Sequence, residues 1–174
     1  MPSIAFATPK GGAGKPTSTV ILATELARSG AAFTVIDADP DRPVSQWAKR
    51  PGCPEKVTVI DRVSEDSIIE TIEGAAAKTA FVVVDLEGAA SMTVAYAISR
   101  ADLVVIPPQG SQLDAAEATK AIRLIRQQEK AFGRRIPYAV LFTRTSPAIK
   151  PRTFQHIRNE LVEHERASIS HASA

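Results

Sequence analysis

The clearest chemical signal in the sequence is a glycine-rich loop near the amino terminus, Lys10-Gly11-Gly12-Ala13-Gly14-Lys15. It follows a short apolar run, Ile4–Thr8, and precedes a stretch with helical periodicity. Glycines let the backbone curl so that its N–H groups point inward, and the start of the next helix adds a favourable dipole. A lysine that closes such a loop can reach the β- and γ-phosphates of a nucleotide. The loop therefore predicts a polyphosphate site with Lys15 as its cation; a purely structural turn fits the spacing and context poorly.

Aspartates follow two further predicted strands. Asp37 and Asp39 come at the end of the apolar run Phe33–Asp37, and Asp85 ends the run Phe81–Asp85. Mg²⁺ is a hard ion that prefers oxygen ligands and retains several waters, so carboxylates at these positions suit a magnesium–nucleotide site. A single aspartate could simply cap a turn. Three of them after a phosphate loop favour the metal interpretation.

Strands and helices are predicted to alternate around these residues. The expected strands are Ile4–Thr8, Phe33–Asp37, Val57–Ile60, Phe81–Asp85, Leu103–Ile106 and Pro137–Phe142. The expected helices are Pro16–Ser29, Val44–Arg50, Ser91–Ser99 and Pro151–Glu165, together with two helices that have capping residues. One of these is capped by Ser64 and runs to Lys78. The other is opened by Asp114 and Glu117 as a capping box and ends at Phe132. The alternation predicts an α/β fold: a doubly wound, mostly parallel sheet with helices on both faces. We expect one domain over residues 1–165, shortened at its carboxyl end, and a disordered tail over residues 166–174.

Composition is that of an ordinary globular protein, with 174 residues, 44% of them hydrophobic and 23% charged. No apolar run approaches the ~20 residues that span a bilayer, and the first residues do not resemble a signal peptide. A lone cysteine, Cys53, excludes an internal disulfide framework, so we expect a cytoplasmic protein. Residues 1–118 carry ten Lys/Arg and fifteen Asp/Glu, whereas residues 119–174 carry eleven and four. The basic part could attract nucleic acid or could consist of solvated helix faces.

With Lys10 as its first residue, the loop resembles the deviant Walker A motif, K-G-G-x-G-K, of the ParA/MinD family of partitioning ATPases. The stretch Asp37–Trp47 is closer still to ParA-like plasmid proteins and VirC-type proteins. The resemblance covers residues 3–165 and implies a P-loop NTPase that uses ATP and Mg²⁺. It implies that Lys10 contacts nucleotide across a dimer interface and is needed for hydrolysis. Lys15 and Asp39 would be the other catalytic residues, and Asp39 would position the attacking water.

The same resemblance implies a metal-binding and a nucleotide-binding set. Asp85 would hold magnesium through water, and Asp37 would support its shell. Thr143 and Arg144 lie where the family contacts adenine. The implied nucleotide-binding residues are Gly11, Gly12, Ala13, Gly14, Lys15, Pro16, Thr17, Thr143 and Arg144.

The sequence departs from the family pattern at Pro16, where relatives have a Ser or Thr whose hydroxyl binds magnesium. Proline has neither a hydroxyl nor an N–H for a phosphate, and it disfavours the helical conformation at Lys15. Thr17 is rotated about 100° around the helix and does not replace the lost hydroxyl. We therefore expect nucleotide affinity or magnesium-dependent hydrolysis to be impaired. Glu87 follows the predicted strand Phe81–Asp85. It could be a switch residue or simply a charged residue in a loop, and the second interpretation is favoured.

The leading functional hypothesis is an ATP-dependent dimer that binds nucleoid DNA non-specifically and positions a plasmid, a chromosome region or protein cargo. A centromere-binding or cargo adaptor protein would trigger hydrolysis. The alternative is a degenerate module that binds nucleotide or partners without hydrolysis. The membrane-binding MinD branch is disfavoured because residues 166–174 supply no amphipathic helix, and the nitrogenase iron-protein branch is excluded because it needs paired cysteines. Candidate DNA contacts, chosen by charge, are Lys120, Arg123, Arg126, Lys130, Arg134, Arg135, Lys150, Arg152 and Arg158.

Overall fold

The computed structural model describes residues 1–9, 11–88, 91–109, 112–144 and 159. These contain six strands: β1 (Ser3–Phe6), β2 (Phe33–Ala38), β3 (Val57–Ile60), β4 (Phe81–Leu86), β5 (Leu103–Ile106) and β6 (Tyr138–Val140). They also contain five helices: α1 (Lys15–Arg28), α2 (Pro43–Ala48), α3 (Ile68–Ala76), α4 (Met92–Arg100) and α5 (Gln112–Phe132).

The strands form one sheet in the order β3-β2-β4-β1-β5-β6, and all five pairings are parallel. The predicted α/β class and parallel sheet are confirmed. Strands β2 and β4 are almost continuously buried, as expected for parallel strands that are covered on both faces. Strand β1 lies inside the sheet between β4 and β5, so the glycine loop that follows it emerges at the carboxyl edge, where doubly wound folds bind ligands.

Helices cover both faces of the sheet, as predicted. Helices α1 and α2 pack on one face through a cluster that includes Phe6, Ala23, Phe33 and Val44. Helices α3, α4 and α5 pack on the other face through a larger cluster; its fully buried members include Ile68, Ile98, Ile106 and Ile125. The two layers fix the carboxyl ends of the strands relative to one another. Among the described residues, no helix has both the length and the apolar character to cross a membrane.

Two predicted helix starts are wrong. Helix α3 begins at Ile68, because residues 65–67 form a turn; the hydroxyls of Ser64 and Ser67 lie 3.2 Å apart across it. Helix α5 begins at Gln112, so Asp114 lies inside the helix and is not its capping residue. The predicted stop of α1 is confirmed: Gly30 follows the helix with φ of 94°, a left-handed conformation that glycine adopts without strain. The predicted helix 151–165 and the tail 166–174 lie outside the described residues, except for Asn159, which is helical and exposed.

Candidate nucleotide site

The glycine loop has the backbone conformation that its sequence requires. Gly12 and Gly14 have φ of 73° and 94°, values that strain any residue with a side chain. Gly14 is the N-cap of α1, and its carbonyl accepts the Ser18 N–H at 2.9 Å. Helix α1 therefore starts directly from the loop, and the N–H groups of its first turn lie beside the glycines. Lys10 lies outside the described residues.

Lys15 is the first residue of α1 and is only 3% exposed. Burial lowers the pKa of its ammonium group, while the carboxylates of Asp85, Asp39 and Glu87 oppose that shift. Lysine at this position is therefore a buried cation surrounded by acidic groups. An anionic ligand at the loop would compensate its desolvation further.

Two of the predicted aspartates are neighbours in the sheet. Asp37 on β2 is paired in register with Asp85 on β4, and both are almost completely buried. Burial raises the pKa of each carboxyl, and in Asp85, where the charge of Asp37 adds to burial, the pKa reaches about 7. Like charges on neighbouring buried carboxyl groups resist ionisation. A bound cation would therefore reduce the repulsion between the two carboxylates.

The oxygens of this pair are only partly used by the protein. Asp37 Oδ2 accepts the backbone N–H of Ser45 in α2 at 2.7 Å, and Asp85 Oδ1 accepts the hydroxyl of Thr19 at 3.3 Å. Asp37 Oδ1 and Asp85 Oδ2 are buried, and neither has a hydrogen-bond partner among the residues that the structure describes. Buried polar atoms of this kind are costly and uncommon in folded proteins.

Asp39 is more exposed than this pair and shapes the loop after β2. Its Oδ1 accepts the N–H of Asp41 at 3.0 Å, and its carbonyl accepts the N–H of Arg42 at 2.9 Å. Arg42 has φ of 49° and precedes α2. The aspartate turn thus directs the chain into α2, whose Ser45 N–H holds Asp37.

Pro16 is accommodated at the second position of α1. The expectation that it disfavours the helical conformation at Lys15 is wrong, because the helix begins at Lys15; proline is well tolerated in a first turn, where N–H groups have no helical acceptor. Its chemical consequence remains, since no hydroxyl stands beside Lys15 at this position. Thr17 is exposed and lines a groove instead of facing the aspartates.

Thr19 belongs to the site and was missed by sequence reasoning. It is fully buried and bonds Asp85 from α1, four residues after Lys15. The only available signal was spacing, because residues i and i+4 share a helix face. Thr19 connects the phosphate-loop helix to the carboxyl end of β4.

The aspartate pair suits a magnesium ion that keeps its waters. Its two unpaired oxygens can accept hydrogen bonds from such waters, and carboxylates are the ligands that this ion prefers. Pro16 supplies no direct ligand, and the described residues contain no group of three or more His, Cys, Asp or Glu that could hold a metal. The arrangement fits an ion that arrives with phosphates, not an ion held by protein ligands alone.

A largely apolar groove of about 720 Å³ opens beside the loop. One end is lined by Gly14, Thr17, Ser18, Thr143 and Arg144. The rest is lined by side chains of α1, β1, β5 and β6. Of the two predicted adenine residues, Arg144 is exposed with φ of 54°, and Thr143 contacts the loop itself: its hydroxyl lies 3.1 Å from the Ala13 carbonyl.

A parallel sheet with a glycine loop, a buried lysine and paired strand-end aspartates defines the class of P-loop NTPases. The model of the family described as VirC1 protein matches residues 1–168, and the chain belongs to this family. Among its relatives, the protein ParA of Rhizobium radiobacter is 44% identical over 163 residues, which cover 94% of this chain and 73% of that protein. The resemblance to the ParA/MinD family of partition ATPases is confirmed.

Solved structures share the fold at low sequence identity. Apo McdA from Cyanothece has a TM-score of 0.80 at 16% identity, covering 94% of this chain and 81% of its own; a variant of McdA in complex with ATP has a TM-score of 0.75, with coverages of 94% and 78%. Cobyrinic acid a,c-diamide synthase from Mycobacterium smegmatis, with bound ADP and magnesium, has a TM-score of 0.71 at 15% identity, with coverages of 94% and 82%. At these identities the likeness establishes the fold alone.

Proposed function

We propose that this VirC1-family protein binds ATP with Mg²⁺ at the loop Gly11–Lys15 and acts in partitioning or positioning DNA or protein cargo. The observation that carries the proposal is the juxtaposition of the positive-φ glycines with buried Lys15 and with the unpaired oxygens of Asp37 and Asp85. Family membership and the ligands of the McdA variant and of the diamide synthase agree with it.

Each residue has a role in this proposal. The N–H groups of Gly11–Gly14 and of Lys15 and Thr17 surround the phosphates, and the Lys15 side chain neutralises their charge. Pro16 lies in the same first turn of α1 but has no N–H to contribute. Asp85 would hold magnesium through water and Asp37 would support its shell, and the ion would supply charge neutralisation at the phosphates. Asp39 orients the attacking water. Lys10 completes the site of a second subunit, and Arg144, which lines the groove together with Gly14 and Thr143, is assigned to the base.

Titration of ATP, with magnesium or with EDTA, into wild type and Asp85→Asn tests binding and its dependence on the metal. We expect magnesium to tighten binding to wild type at least about tenfold and to have a much smaller effect on the variant. Asp61→Asn changes an aspartate outside the site and should behave like wild type. Equal affinity with magnesium and with EDTA in wild type would refute the metal assignment.

Pro16 decides between an active ATPase and a nucleotide-binding module. The structure keeps the loop and helix intact around Pro16, so what this position lacks is the hydroxyl and the backbone N–H. We expect slow magnesium-dependent hydrolysis in wild type and a faster rate in Pro16→Thr, with Pro16→Ala remaining slow. If Pro16→Thr and wild type hydrolyse ATP equally fast, the impairment hypothesis is refuted. If Pro16→Thr also lacks hydrolysis that DNA or an adaptor can stimulate, the non-hydrolysing alternative is favoured.

We also propose that the protein forms an ATP-dependent dimer that binds DNA. The dimer would then be cytoplasmic and associated with the nucleoid. Four of the candidate cations are exposed on or just after α5: Lys120, Arg123, Lys130 and Arg135. Three of the candidates have structural contacts: Lys120 pairs with Glu117, Arg126 bonds Glu129, and Arg134 bonds the carbonyls of Ser99 and Ala101. Lys150, Arg152 and Arg158 lie outside the described residues. The exposed group is therefore the surface to test.

Charge reversal at Arg123, Lys130 and Arg135 should abolish retention on non-specific DNA at low salt, because this binding depends on phosphate contacts. The matched control reverses Lys49, Arg50 and Arg62, three exposed cations elsewhere, and so makes the same change in net charge. Equal loss in both triple variants would assign the effect to net charge and refute the α5 surface.

A further inference from the structure

The phosphate loop is attached to the β5–β6 side of the sheet by two side-chain hydrogen bonds. Thr143, after β6, places its hydroxyl 3.1 Å from the Ala13 carbonyl, and Gln109, after β5, donates its Nε2 proton to the Gly12 carbonyl at 2.8 Å. The partners are 130 and 97 residues apart in sequence. Two consecutive carbonyls of the loop are therefore held by segments that are remote along the chain.

Thr143 is fixed well enough to act as an anchor. Past the end of β6, Leu141 N–H still bonds the Ile106 carbonyl and Thr143 N–H bonds the Pro108 carbonyl, both at 2.9 Å, so the ladder between the two strands continues to this residue. Its side chain also packs against Gly14, where an added Cβ would meet it at 3.6 Å. The position of Thr143 is thus set by backbone bonds.

The hydroxyl of Thr143 has one proton, and both carbonyls near it compete for that proton. The Ala13 carbonyl lies at 3.1 Å and the Pro108 carbonyl at 3.3 Å. Whichever carbonyl accepts the bond, the hydroxyl has no proton left for a ring nitrogen of a base. This geometry argues against a hydrogen bond donated by Thr143 to adenine, while the lone pairs of the hydroxyl can still accept one from an amino group.

We propose that Thr143 and Gln109 are positioning residues for the phosphate loop. By holding the carbonyls of Ala13 and Gly12, they orient the peptide units whose N–H groups form the phosphate cradle, and they reduce the ordering that binding would otherwise require. The inference rests on the proposed nucleotide site and extends it, because it assigns the edge of the sheet formed by β5 and β6 a role in phosphate affinity.

Binding of two probes separates this role from base recognition. Thr143→Val keeps the β-branched shape and removes the hydroxyl, so it is compatible with the extended backbone at this position. We expect it to weaken Mg²⁺·ATP and inorganic tripolyphosphate by the same factor, about three- to tenfold, as the loss of one hydrogen bond implies. Thr143→Ser should restore both affinities, and Gln109→Leu should weaken both in the same way. Weakened ATP binding with unchanged tripolyphosphate binding would overturn the proposal in favour of a base contact.

Thr79→Val is the matched control, because its hydroxyl also lies 3.1 Å from each of two backbone carbonyls, Ala75 and Phe81, but at the start of β4. It should leave both probes bound as in wild type. Amide hydrogen exchange of the peptide containing residues 11–15 supplies a readout without nucleotide. We expect faster exchange in Thr143→Val and wild-type exchange in Thr79→Val; unchanged exchange in Thr143→Val would overturn the proposal. If wild type binds neither probe, the proposed function fails, and the exchange result alone decides the inference.

Discussion

Glu129 offers a quantitative test of how the β6 edge is attached to the fold. Its carboxylate lies in the last turn of α5 and is 12% exposed. Oε1 accepts the Ile136 N–H at 2.8 Å, across the turn that leads to β6, and Oε2 accepts from Arg126 at 2.7 Å. Replacement by Gln preserves the size of the side chain but removes the charge that strengthens both bonds.

The pKa of Glu129 gives the expected pH dependence. Burial raises this pKa, but the Ile136 N–H and the Arg126 guanidinium together outweigh burial and hold it below its ordinary value of 4.5. A depressed carboxyl pKa contributes stability above the unfolded-state pKa, and this contribution is lost as the pH falls through the folded-state pKa. The wild type and Glu129→Gln should therefore differ at pH 7, and the difference should be smaller at pH 3.

The magnitude follows from the two bonds. Hydrogen bonds to charged groups contribute about 1.5–3 kcal/mol each, but the amide oxygen of Gln can still accept one of them, so we expect a loss of about 1–2 kcal/mol at pH 7. For a chain of this size that corresponds to a fall in Tm of roughly 2–8 °C. Urea denaturation at both pH values measures it. Glu25→Gln is the control, because Glu25 pairs with Arg28 at the surface and should change stability by less than about 0.5 kcal/mol. An effect no larger than that of Glu25→Gln, or one that is undiminished at pH 3, would refute the reasoning.

Three other substitutions test different parts of the account. Gly14→Ala forces a side chain onto a φ of 94° and should cost about 1–2 kcal/mol of stability while weakening ATP binding; Gly74→Ala, in α3, is the control in a helical conformation. Burial and Asp37 raise the pKa of Asp85 from 3.8 to about 7, so the nucleotide-free wild type should lose stability as the pH rises through this interval. Asp85→Asn should then be more stable than wild type at pH 8 by about 2–4 kcal/mol, and an equal or lower midpoint in urea would contradict the shift. Ile125→Ala leaves a cavity at a fully buried position in α5. It should lower the free energy of unfolding by about 2–5 kcal/mol in the same assay, and by less if the surrounding side chains relax into the cavity.

Local features of the sequence were sufficient to predict the sheet and the phosphate loop. Apolar runs such as Phe81–Asp85 identify buried parallel strands because both faces of those strands are covered, and the glycines fix the conformation of the loop. Helix starts were less predictable: Ser64 could bond another hydroxyl instead of capping α3 directly, and α5 begins before the residues with the capping pattern.

Partnerships across the fold could not be read from spacing. Asp37 and Asp85 become neighbours because β2 pairs with β4, which is not the next strand along the chain. The bond from Thr19 to Asp85 spans 66 residues, and the bond from Gln109 to Gly12 spans 97. Local periodicity carries no information about such distant partners, so Thr19 and Gln109 emerged only from the folded chain.

The most direct test of the central claim is calorimetric titration of Mg²⁺·ATP into wild type, Lys15→Gln and Lys49→Gln. We expect saturable binding with one ATP per chain in wild type and in Lys49→Gln, which changes an exposed lysine after α2. Lys15→Gln removes the buried cation of the loop and should weaken binding at least about tenfold, since hydrogen bonds between charged groups are among the stronger ones. Absence of binding in wild type, or equal affinity in Lys15→Gln, would contradict the nucleotide site.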